Sequence, residues 1–227
     1  MRYPASCKSV TALLCASLLA LFAGPAAFAT DDAAGMDASV QGLDRLRTYL
    51  DQFESLRAKF RQEVVNRDME LVEQASGEVI LKKPGRFVWN YEQPFERVIM
   101  SDGDKIWLYE ADLEQVTVRR LDAGIGETPA SLLTGTADVL DHFEYVDASA
   151  VEGLELIQLR PRSAESDFES IILGFDGDML VQIALLDRLA QRTRLYLTEI
   201  ERPTSVRAED FVFVIPEGVD VIGETEL

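Results

Sequence analysis

The chain has 227 residues, with 40 acidic against 22 basic side chains and a formal net charge of −18. A field of that sign repels nucleic acid and anionic lipid headgroups, so a nucleic-acid-binding role is excluded first. The only cysteines are Cys7 and Cys15 and the only histidine is His142, which leaves no metal site of the usual thiolate or multi-histidine kind; neither a metal nor another cofactor is expected.

Arg2 and Lys8 precede an apolar run from Val10 to Ala23, which Pro25 ends and Ala27-Phe28-Ala29 follows. The run is shorter than the roughly 20 residues that span a bilayer. Residues 1–29 therefore read as a cleaved signal peptide, 30–227 as a single exported domain, and the periplasm as its location. Cleavage would remove both cysteines and two cations, leaving 20 basic against 40 acidic residues, a net charge of −20. Cys15 sits in mid-run behind Leu13-Leu14, not behind a small residue at its end, so no lipid is expected on the mature chain.

From Val40 onward, apolar residues at Leu43, Leu46, Tyr49, Leu50, Phe53 and Leu56 recur every three or four positions and predict one amphipathic helix, with Asp37 or Ser39 as its N-cap. Beyond Lys59 the period becomes two. Strands are predicted at Phe60–Val64, Gly77–Lys82, Phe87–Tyr91, Arg97–Met100, Lys105–Tyr109 and Gln115–Arg119. Further strands are predicted near Leu154–Arg160, Phe168–Phe175, Leu180–Leu186, Thr193–Ile200 and Phe211–Ile215. Ser101-Asp102-Gly103-Asp104 and Asp176-Gly177-Asp178 read as hairpin turns. Between Gly124 and Asp141 the alternation stops; Thr128-Pro129 opens a short helix through Leu132 and Leu133, and Ala137–His142 holds another helical turn.

No βαβ alternation occurs. The fold class expected is mainly β (α+β): a curved antiparallel sheet covered by an N-terminal helix and a small helical insertion. The stripe Phe87, Trp89, Tyr91 lies near Trp107 and Tyr109 in sequence. On pattern alone this is either an aromatic-rich core or the wall of a ligand pocket.

Catalytic constellations are thin. No Gly-x-Ser-x-Gly elbow, phosphate loop or dinucleotide-binding glycine run occurs. The two Asp-Gly-Asp segments lack the further carboxylates of a calcium loop. A hydrolase built on acidic residues stays open, but no spacing selects a pair.

The order of Lys82-Lys83-Pro84-Gly85-Arg86-Phe87-Val88-Trp89-Asn90-Tyr91, Gln93-Pro94, Ser101-Asp102-Gly103, Trp107-Leu108-Tyr109 and Leu113-Glu114-Gln115-Val116-Thr117 resembles the LolA family of periplasmic lipoprotein carriers. Thr128-Pro129, Asp176-Gly177 and Phe211-x-Phe213-x-x-Pro216-x-Gly218-Val219 extend the likeness over nearly all of the chain beyond residue 29. The resemblance implies an incomplete, strongly curved antiparallel barrel whose open side short helices close as a lid, and a monomer that is not an enzyme. Triacylated lipoproteins would be received from the inner-membrane LolCDE transporter and passed to the outer-membrane acceptor LolB. The acyl-chain cavity and partner contact are expected at Phe87, Trp89, Tyr91, Met100, Trp107 and Tyr109, and the lid at Thr128, Pro129, Leu132 and Leu133. Family members commonly carry arginine before the motif proline, where it latches the lid. Here Lys83 stands there, so a weaker latch, or one assisted by Arg86, is expected. Phe87→Glu is expected to damage cargo release while the fold stays intact. The alternative is a periplasmic lipid- or glycolipid-binding or sensor protein on the same fold.

Overall fold

The computed structural model describes residues 32–121, 129–135, 139–202 and 204–223; the signal peptide and Thr128 lie outside them. Helix α1 (Asp32–Gln52) begins earlier than the apolar spacing predicts, so Asp37 and Ser39 fall inside it and not at its N-terminus. Its buried stripe is Leu46, Tyr49 and Leu50. The helix ends before Leu56, which belongs to β1 (Ser55–Val65). Phe53 turns back by donating its N–H to the Leu50 carbonyl at 3.3 Å, and the Glu54 carbonyl accepts the Lys83 N–H at 3.0 Å. Those bonds start strand pairing where the helical spacing would have run on.

β2 (Leu71–Lys82), β3 (Arg86–Gln93), β4 (Arg97–Asp102), β5 (Lys105–Glu110) and β6 (Gln115–Arg120) follow as hairpins. The Asp102 carboxylate fixes the β4–β5 turn by accepting the N–H groups of Asp104 and Lys105, both at 2.8 Å. After α2 (Pro129–Thr134) and a 3-10 helix (Val139–His142) come β7 (Phe143–Val151), β8 (Leu154–Pro161), β9 (Phe168–Asp176), β10 (Met179–Asp187), β11 (Arg192–Glu201) and β12 (Asp220–Gly223).

These strands form one unclosed, curved sheet in the order β12-β6-β5-β4-β3-β2-β1-β11-β10-β9-β8-β7. β7 and β12, which the sequence patterns do not predict, are its two edges. β7 buries little besides Phe143, so it shows no apolar alternation. β12 is short and pairs parallel with β6, the exception in a sheet expected to be antiparallel throughout.

The predicted strand at Phe211–Ile215 is absent. Ala208–Phe211 is a 3-10 helix, and the chain crosses the outer face of the sheet instead of pairing with it. Ser55 Oγ donates to the Thr204 carbonyl at 3.0 Å, and Lys82 Nζ donates to the Val206 carbonyl at 2.7 Å. Phe213 then stacks on Trp107 with ring centres 6.2 Å apart. The Phe-x-Phe alternation reads as a strand because alternate residues do face the sheet. They do so across the strands, not beside one.

The core lies between the concave face and the helices. Gly42 brings α1 close to β7: a Cβ there would stand 2.7 Å from both Ala148 Cβ and Tyr145 Oη.

Candidate functional site

Cross-strand partners share a face, so the register sorts the predicted site residues. Phe87 faces Leu81 on β2 and Ser101 on β4; Trp89 faces Val79 and Ile99; Tyr91 faces Gly77 and Arg97. Leu56, Ala58 and Phe60 continue these rows on β1. Phe87, Trp89 and Tyr91 are 4–8% exposed and join the core with Leu132 and Leu133. The rings of Phe60 and Tyr91 meet edge-on, 5.0 Å between centres.

Met100, Trp107 and Tyr109 belong elsewhere, which corrects their expected place in the cavity. Met100 pairs with Val88 and with Trp107, and Tyr109 pairs with Val98. These residues occupy the outer face, where Phe213 covers Trp107 and Tyr109. One step along a strand reverses the side on which a residue stands.

Two helices cover the concave face. α2 packs on β2 and β3, and its Leu132 and Leu133 have no exposed surface. α1 contributes Leu46, Tyr49 and Leu50 and packs toward β7 and β8. The interior is thus filled by side chains of the cover, not by those of the sheet alone. Burial raises the Tyr49 hydroxyl to about 12, against the opposing pull of Arg202, whose guanidinium lies 4.7 Å from the ring centre.

The loop between β2 and β3 touches both helices. Lys83 Nζ donates to the Leu50 carbonyl in the last turn of α1 at 2.5 Å. The Gly85 N–H donates to the Thr134 carbonyl at the end of α2 at 2.8 Å. α1 carries no basic residue in its own last turn, so Lys83 supplies the cation that its C-terminal dipole favours. Partial burial lowers the Lys83 ammonium pKa, and Asp51 opposes that shift. The side chain therefore reaches α1, while the backbone of the same loop reaches α2. Arg86 assists neither helix: it points to the outer face and donates Nε to the Asp102 carbonyl at 3.0 Å, so its expected latch role is corrected.

Sequence reasoning passed over Arg45, which pairs with Glu155 at 2.9 Å and donates to the Gly177 carbonyl in the β9–β10 turn. It holds α1 to the far half of the sheet. Only its place on the polar flank of the helical stripe could have signalled it.

Removing the Lys83 donor leaves α1 held by Arg45 and by packing. Lys83→Met is expected to lower stability by about 1–2 kcal/mol, whereas Lys83→Arg keeps a donor to the helix end and stays close to wild type. Urea denaturation checks this; equal midpoints in all three proteins would show that the contact contributes nothing.

The sequence pattern of the family described as outer membrane lipoprotein carrier protein LolA matches residues 51–214. The chain belongs to the LolA family. An outer-membrane lipoprotein carrier protein of Dechloromonas aromatica is 36% identical over 182 residues, covering 80% of this chain and 88% of its own. The proteins so named in Nitrosospira multiformis and Chromohalobacter salexigens are 37% and 38% identical, covering 81% and 82% of this chain and 89% of their own in each case. The LolA match includes β1–β11, the Lys83–Gly85 loop, α2 and the crossing segment through Phe213, whereas nearly all of α1, with Arg45 and Leu50, precedes it.

Proposed function

We propose that this chain is a periplasmic carrier that shelters the acyl chains of lipoproteins and does so without catalysing a reaction. Residues 1–29 act as its cleaved signal peptide, and the carrier works as a monomer. Its donor is the inner-membrane transporter LolCDE and its acceptor the outer-membrane protein LolB. The observation that carries the reading is an apolar concave face whose filling comes from two helices tied to one loop. Side chains of a cover can be exchanged for hydrocarbon; a core closed by its own strands has no such exchange to make.

The energetics explain why a carrier is needed. An acyl chain of about 16 carbons costs about 12 kcal/mol to expose to water. Cargo therefore does not dissociate into the periplasm. Transfer from one apolar site to another nearly cancels that cost, so an energised donor and a greasier acceptor suffice. Acidity supports the role as well, because it keeps the protein off anionic membrane surfaces.

The test is incubation with spheroplasts. Outer-membrane lipoproteins should appear in the medium as a one-to-one complex with this protein. Lipoproteins that stay membrane-bound while the protein instead extracts phospholipid would favour a general lipid binder.

A further inference from the structure

The concave face changes character along the strands. Its first rows are apolar: Leu56, Leu81 and Phe87, then Ala58, Val79 and Trp89. Toward the hairpin ends of β3–β4 and β5–β6 it becomes polar, with Arg97 between Tyr91 and Glu110, and Gln62 facing Ala75. Tyr91 donates its hydroxyl to Gln62 Oε1 at 3.1 Å, and Gln62 Nε2 donates to Glu73 Oε1 at 3.4 Å. The Arg97 guanidinium lies over the Tyr91 ring, 4.2 Å from its centre. A pocket of about 270 Å³ opens here, lined by Tyr91, Arg97, Ala75 and Phe95 among others.

Two buried N–H donors on this face have no hydrogen-bond partner among the described residues: Arg97 Nε, on a residue that lines the pocket, and Trp89 Nε1, one row further toward the apolar end. They stand on adjacent strands in adjacent rows of the same face, since Tyr91, two residues from Trp89, pairs directly with Arg97. A buried donor without an acceptor is costly, and a ligand that supplies one recovers the loss.

The acceptor must also suit its surroundings. Glu73, Glu96, Glu110 and Asp112 line the same pocket, against Arg97 as the cation there. A phosphate or carboxylate would meet those charges at close range, whereas a neutral carbonyl oxygen meets no repulsion.

We propose that Trp89 Nε1 and Arg97 Nε bind the neutral carbonyl oxygens that join acyl chains to their headgroup. Hydrocarbon then lies along the apolar rows toward the Lys83 loop, with the ester or amide linkages at the polar end. The site rests on the carrier reading and adds an orientation to it: the peptide leaves beside Phe95, which is 68% exposed on the β3–β4 turn.

The probe is a lipopeptide with a bis(palmitoyloxy)propyl group on cysteine, compared with its bis(hexadecyloxy)propyl ether analogue. The two differ in their carbonyl oxygens but not in chain length between the attached groups. Wild type should bind the diester more tightly than the diether, by roughly tenfold for each hydrogen bond made. Trp89→Phe and Arg97→Met should each shrink the diester-over-diether affinity ratio, whatever either does to hydrocarbon binding, which both lipopeptides share. Melting curves of both variants report whether the fold survives, and the wild-type comparison decides the matter even if one variant unfolds. Equal binding of both lipopeptides by wild type would overturn the carbonyl site while leaving the carrier reading standing. Binding of neither would overturn both.

Discussion

Phe87→Glu is expected to lower the melting temperature by about 8–16 °C and to abolish release of lipoproteins from spheroplasts. Phe87 is 4% exposed and packs in the core beneath the cover, so the substitution removes a ring and buries a carboxylate. Loss of a buried aromatic alone costs about 3–5 kcal/mol, and an unpaired charge adds to it. A less costly response exists. Lifting α2 exposes Leu132 and Leu133 at roughly 1.5–3 kcal/mol each and lets the carboxylate reach water. The two costs are of one order, so the variant keeps its sheet but loses its closed cover. The sheet is thus expected to persist while the cover opens, a larger structural effect than the sequence motif alone suggests. Thermal unfolding followed by tryptophan fluorescence, together with the spheroplast assay, checks both halves. A variant with wild-type melting and release would place Phe87 outside the carrier's interior.

Gly77→Ala should destabilise the protein by about 3 kcal/mol without adding any polar group. A Cβ at Gly77 would overlap the Asn90 carbonyl oxygen and stand 2.9 Å from its carbon. Both obstacles are backbone, so neither can swing aside. Gly77 sits where the β2–β3 register shifts, with Ser76 opposite Gln93 and Gly77 opposite Tyr91, leaving Glu92 as the extra residue of a bulge. That bulge fixes Tyr91 beside Arg97. The variant should therefore melt about 6–12 °C lower and also lose some discrimination between ester and ether lipids. Urea denaturation measures the first effect; an unchanged midpoint would show that the strands part more easily here than the close approach implies.

The inner aromatic stripe was legible because Phe87, Trp89 and Tyr91 lie on a single strand, where period two alone determines the face. Trp107 was misplaced because its face depends on the register across the β4–β5 turn, and composition does not reveal that register. Had the pairing slipped by one residue, Trp107 would have pointed inward. The Lys83 bond to α1 was readable as a position but not as a contact. The motif marks the loop, while the three-dimensional path of α1 decides that Leu50 is the acceptor. Phe211 and Phe213 carry the alternation of a strand without its hydrogen bonds, so the role of Phe213 as a strap over Trp107 and Tyr109 emerges only once the crossing is seen. The orphaned donors of Trp89 and Arg97 leave no mark in the sequence at all, because only packing shows which N–H groups lack partners.

On the proposed carrier reading, acyl chains occupy the concave face beneath α1 and α2. A photoreactive benzoylphenylalanine placed at Trp89 in one protein and at Trp107 in another, each loaded with radiolabelled lipoprotein and irradiated, tests it directly. Label should be captured through position 89 and not through position 107. Capture through 107 alone would put the lipid on the outer face and contradict binding beneath the helices.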